Sequence, residues 1–186
     1  MKKSKALRTF TIIAVLIIQI AFLLFIAKSH YDLNNNISII ILIGIIMSVL
    51  LGHYVLDLHE KDLELEKLSV VIWVPFGAMC CYLLNSKTGL GSVISAGAIG
   101  TLASFLPNIN KRSNYFKKIS PAIYCGVFVG MSSTVVSPSM AYVVTASIIA
   151  GLFLLLSKNL FTGFGGKLGT MAFMGLFIVY LIKLVS

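Results

Sequence analysis

Acidic residues are scarce in this chain, and none lies where an enzyme or a proton carrier would need one. Only six of the 186 residues are Asp or Glu, and no carboxylate falls within the apolar runs from Ser69 onward. A proton relay through paired acids has no material there. Charge of either sign amounts to 11%, against the ~25% of a typical soluble domain. No Ser-His-Asp set, HExxH, nucleotide fingerprint or CxxC occurs. The three cysteines, Cys80, Cys81 and Cys125, are odd in number and sit inside apolar runs, so no disulfide framework is indicated and they read as small packing residues. His53 and Asp57 are four apart, but no second such pair completes a metal site. No cofactor, metal or catalytic centre is expected.

Long apolar runs are what the chain does have. Hydrophobic residues make up 58% of it, and a run of ~20 of them is what crossing the hydrocarbon requires. These runs leave no room for a separate soluble domain of ~50 residues. The sequence therefore predicts an all-α integral membrane protein, a single polytopic domain over 1–186 with about seven spans. They fall near 10–27, 37–56, 69–84, 89–106, 119–136, 140–156 and 170–185. The basic start MKKSKALR resembles a signal peptide, but no small-x-small cleavage site follows. The first span is expected to stay on as a peripheral, lipid-facing helix, with 1–36 as an N-terminal helix and loop. A tight turn is expected at Ser137-Pro138-Ser139, and interfacial positions suit Trp73 and Tyr82.

Charge sets the orientation. The net charge of +9 does not point to nucleic acid, because the basic residues stand in short loops beside apolar spans. With a cytoplasmic N-terminus, 12 Lys and Arg fall inside and only Lys28, Lys87 and Lys183 fall outside. The positive-inside rule then gives an N-in, C-out arrangement. The cell membrane is the expected location, most simply a bacterial inner membrane.

Small residues recur every fourth position in two spans: Ser92, Ala96, Gly100, Ser104 and then Ala122, Gly126, Gly130, Thr134. Positions four apart share a helix face, and in lipid such seams mark where backbones approach. Spans four and five are therefore the expected packing centre. Gly97-Ala98-Ile99-Gly100-Thr101-Leu102-Ala103 also matches Gly166-Lys167-Leu168-Gly169-Thr170-Met171-Ala172. The two copies cross in opposite directions. This suggests an inverted repeat of 37–106 (spans 2–4) and 119–186 (spans 5–7), an arrangement found in secondary transporters. Gly97, Gly100, Gly126, Gly130, Gly166 and Gly169 are the expected helix-packing glycines.

The function then depends on hydroxyls and loops. Thr101 and Thr170 are the matched hydroxyls, with Ser132, Ser133 and Thr134 near the outer end of span five. They could line a polar path, although hydroxyls in membrane helices more often bond a carbonyl one turn back. The expected function is a channel or transporter for a small solute or ion. The alternative is a non-transporting membrane subunit that docks a cytoplasmic protein through the acidic 57–68 and basic 107–118 segments, or that acts as an oligomeric membrane effector. The Gly-rich linker before span seven, with Gly165 and Lys167, also suits an anion or a lipid headgroup.

Overall fold

The computed structural model describes residues 10, 12–22, 24, 40, 43, 44, 47, 65–133, 136–157 and 166–185. Contacts divide the chain into two compact units: Met1–Leu63 with Asn159–Gly163, and Glu64–Lys158 with Phe164–Ser186. In the first unit the described residues include an apolar helix, α1 (Ile12–Phe22). It carries no charged residue, and Ile13 and Ile17 are exposed on it.

The second unit is helical throughout its described residues, with turns but no strands. Its elements are α2 (Leu68–Val71), α3 (Trp73–Thr88), α4 (Ser92–Ile109), α5 (Asn114–Gly130), α6 (Met140–Leu156) and α7 (Lys167–Val185). Apolar segments take this form in lipid because a helix satisfies its backbone groups internally. Three stretches are long and apolar enough to cross a membrane: Leu68–Thr88, Ser92–Ile109 and Lys167–Leu184, with mean hydropathies of 1.8, 1.4 and 1.6. Their length and composition suit a membrane protein. Among the described residues α1 and α6 are apolar but shorter, so three of the roughly seven expected spans meet both criteria. Most of the second expected span lies outside the described residues.

Turn chemistry fixes the ends. α3 stops at Gly89, whose φ of 65° is left-handed and suits glycine. Ser139 caps α6, its side chain accepting from the Tyr142 N–H at 3.4 Å. The α5–α6 turn begins earlier than Ser137-Pro138-Ser139, because the Ser133 carbonyl accepts from the Val136 and Ser137 N–H groups.

α5 is the hub. Among the described elements of this unit it packs on α2, α3, α4, α6 and α7, whereas α4 touches only α3 and α5, and α7 only α5 and α6. The closest backbones belong to α3 and α5. A β-carbon on Gly126 or Gly130 would fall on the carbonyl oxygen of Val74 or Ala78, and one on Gly77 would come within 2.6 Å of the Ile123 carbonyl. α6 and α7 cross in the same way, with Gly175 beneath the Ala146 carbonyl. Glycine lets backbones meet where no water-driven force pushes helices together.

This corrects the expected packing centre. Span five holds the centre, but its tight partner is α3 rather than α4. α4 contributes side chains: Ala96, Ile99, Ala103 and Leu106 pack with Ile119, Ile123 and Val127 of α5 and Cys81 of α3. Its other face, with Val93, Leu102, Phe105 and Ile109, is exposed.

Candidate functional site

One end of the second unit gathers most of its polar chemistry. There the start of α2 meets the end of α6 through the Glu66 N–H, which donates to the Leu155 carbonyl at 3.0 Å. Trp73 Nε1 donates to Tyr115 Oη at 3.1 Å, and that hydroxyl donates to the Ser69 carbonyl at 3.1 Å. α2, α3 and α5 are thereby tied together. The Lys118 ammonium donates to Glu66 Oε1 at 3.0 Å, and the same oxygen accepts the Lys67 N–H at 3.1 Å. The Glu66 side chain is only 13% exposed and that of Lys118 36%, so the pair is partly shielded from the solvent that weakens surface ion pairs. Lys167 donates to the Ser157 carbonyl, bridging the start of α7 to the end of α6.

These groups border a cavity of about 270 Å³. Its charged edge is Lys117, Lys118, Lys167 and Glu66, and Val70, Ala122, Leu154 and Leu168 form apolar walls beside Pro121. Val70, Ala122 and Leu154 are buried and Lys117 is exposed. Among the described lining residues are three lysines and one carboxylate, Glu66, which already accepts from Lys118 and from the Lys67 N–H. The arrangement suits an anion.

The expected pathway residues are not brought together. Thr101 is exposed midway along α4, and Thr170 lies in the first turn of α7, its hydroxyl donating back to the Gly166 carbonyl at 3.2 Å. α4 and α7 do not touch. Ser132 donates to the Val129 carbonyl at 2.6 Å and Ser133 is exposed in the following turn. Both are at the end of the unit opposite the lysines. Thr134, Gly165, His53, Asp57 and residues 57–64 lie outside the described residues.

The packing glycines divide. Gly100 lies under the Tyr124 ring, where a β-carbon would be 2.9 Å from Cε1, and Gly126 and Gly130 sit at the α3 crossing. Gly97, Gly166 and Gly169 have nothing within 4 Å of a β-carbon, so these three are not at close helix contacts. Cys81 and Cys125 are buried, and Cys125 Sγ lies 3.6 Å from the Leu168 carbonyl, as packing residues between helices would. Among the described residues no group of three or more metal-ligating side chains occurs.

The sequence reading missed the Glu66–Lys118 pair and the cavity beside it. For the pair, the signal was present in the opposite signs of the 57–68 and 107–118 segments. Compared with protein families, curated proteins and solved structures, the chain matches none.

Proposed function

We propose that the protein is a multi-pass membrane subunit that conducts nothing itself and docks an acidic partner at its cytoplasmic edge. On this reading it has about seven spans, a cytoplasmic N-terminus and an external C-terminus, in a cell membrane such as a bacterial inner membrane. Supporting the orientation, Lys67, Lys111, Arg112, Lys117, Lys118 and Lys167 belong to one end of the second unit. Lys87 and Lys183 belong to the other, where the Lys183 ammonium sits 5.6 Å from the Tyr142 ring centroid.

The observation that carries the non-conducting reading is the separation of α4 from α7. An inverted repeat with a shared pathway needs its matched Gly-Thr pairs to face one another. Here α5 packs against both helices, and its contact with α3 is backbone to backbone. The docking half rests on charge. Glu66, from the acidic segment, is neutralised within the chain by Lys118, while Lys111, Arg112 and Lys117 stay exposed. Among the described residues of this end the remaining surplus is basic and complements an acidic surface. No catalytic role is proposed.

A photo-reactive residue at Lys111, set against one at lipid-exposed Val93, tests this in cells. A discrete protein adduct at 111, lost when Arg112 and Lys117 become Gln, is expected. Equal adducts at both positions, or solute flux above that of empty liposomes, would overturn the reading.

A second reading keeps the channel. The hydroxyls of Ser95 and Ser137 are fully buried and have no hydrogen-bond partner. Buried polar atoms normally find one, and a permeating neutral solute or water could supply it. Osmotic swelling of proteoliposomes that falls on Ser95→Ala would favour this reading.

A further inference from the structure

We infer that Glu66 is an internal stand-in for the acidic partner, holding Lys118 until a carboxylate of the partner displaces it. The inference rests on the docking reading and adds its regulation. Lys118 closes the basic stretch 111–118, and among the described residues its partner is Glu66, 52 positions earlier and 3.0 Å away. Lys111, Arg112 and Lys117 of the same stretch are exposed. The two members of the pair differ in access. The Glu66 side chain is 13% exposed and that of Lys118 36%. A carboxylate arriving from outside therefore meets the ammonium before it meets Glu66. An ion pair open to solvent on one side is weakly held, so it exchanges for a second carboxylate.

The backbone around Glu66 lets its side chain leave without unfolding the helix end. The Glu66 N–H donates to the Leu155 carbonyl at 3.0 Å, and α2 packs on α3, α5 and α6. These contacts persist when the carboxylate turns away. Glu66 Oε1 also accepts the adjacent Lys67 N–H at 3.1 Å, a bond that does not depend on Lys118. The displaced side chain has room, because Glu66, Lys117 and Lys118 line one cavity of about 270 Å³. The exchange is also charge for charge. The half-buried ammonium keeps one carboxylate throughout, which avoids the cost of leaving a shielded charge unpaired. The partner this fits is a protein segment with clustered Asp or Glu. One carboxylate takes Lys118 and its neighbours meet Lys111, Arg112 and Lys117.

The test uses the full chain in cells, with the photo-reactive residue at position 111 and adduct yields compared at equal protein level. Glu66→Gln is expected to raise the protein adduct roughly two- to fivefold, the factor by which a partly exposed ion pair competes. Lys118→Gln should lower it. Adding Glu66→Gln to Lys118→Gln should then give no rise, because the ammonium that both carboxylates seek is gone. That non-additivity separates competition from net charge, since Glu66→Gln changes the charge equally in both backgrounds. Lys118→Arg keeps a donor for either carboxylate and should preserve the response to Glu66→Gln. If Glu66→Gln does not accumulate, Glu66→Asp carries the test, since it keeps the charge and draws the carboxylate back from Lys118. An adduct that Glu66→Gln leaves unchanged overturns the inference while docking stands, and so does an equal rise with and without Lys118. No protein adduct in either the parent or Glu66→Gln overturns docking and the inference together, and adducts to lipid alone count as none.

Discussion

A β-carbon built on Gly126 falls on the carbonyl oxygen of Val74. Nothing flexible stands there to move aside, since the obstructing atom belongs to the α3 backbone. Gly126→Ala should therefore force α3 and α5 apart and lower stability by roughly 1–3 kcal/mol, the usual range for overpacking. Gly97→Ala is the matched control, because its β-carbon meets nothing within 4 Å. Melting in detergent should show a marked drop for the first substitution and none for the second. Equal melting temperatures would refute the account of the α3–α5 crossing.

The Tyr115 hydroxyl joins Trp73 to the Ser69 carbonyl. Tyr115→Phe removes both bonds at constant shape, at a cost of about 0.5–1.5 kcal/mol for each bond lost. Trp73 is the only tryptophan in the chain, so its emission reports this site alone. The emission maximum is expected to shift in Tyr115→Phe and to stay fixed in Tyr124→Phe. An unchanged spectrum in the first variant counts against the bridge.

Glu66 and Lys118 lie 52 residues apart in sequence and 3.0 Å apart in space. In a double-mutant cycle, Glu66→Gln and Lys118→Gln should couple by about 0.5–3 kcal/mol, as contacting residues do. The partial exposure of Lys118 argues for the lower half of that range. Additive effects would show that the pair does not hold α5 to the start of α2.

Much of this architecture is legible in the residues. The apolar runs at 69–84, 89–106, 140–156 and 170–185 correspond to helices, and the seam Ala122, Gly126, Gly130 is a true contact face. The partner of that seam was hidden because α3 has a single glycine, Gly77, and its one four-residue step of small residues, Gly77 to Cys81, is flanked by Trp73 and Asn85 and makes no longer run. α4 misled in the opposite way. Its Gly97 and Thr101, matched in the repeat, are exposed, whereas two residues of its expected seam, Ala96 and Gly100, turn inward with Ile99, Ala103 and Leu106. Small residues permit close approach without requiring it. The cavity was illegible for a different reason, since its lysines come from two helices and its carboxylate from the segment before α2. Only the packing brings them together.

The proposed sidedness rests on the distribution of the lysines. In a background without native cysteines, Asn110→Cys should react with a membrane-impermeant maleimide only after the cells are opened, and Lys87→Cys should react in intact cells. These residues flank α4, a helix long and apolar enough to cross. Labelling of both from one side would overturn the proposed orientation and would place α4 along the membrane surface.

Thr101→Val separates the two functional readings most directly. Thr101 is exposed on α4, and α4 does not touch α7, which carries the matched Thr170. A hydroxyl facing lipid or solvent contributes little to packing, so Val at this position should leave the melting temperature within about 0.5 kcal/mol of the parent, as exposed substitutions usually do. If the chain conducts nothing, the variant should also leave proteoliposome permeability to ions and small neutral solutes at the level of empty vesicles, as the parent does. Ser95→Ala provides the contrast, because that hydroxyl is fully buried and unpartnered. Replacing it removes an unsatisfied polar atom and should raise stability. Flux through the parent that Thr101→Val reduces, with no change in melting, would return the matched threonines to a conducting path and end the docking reading.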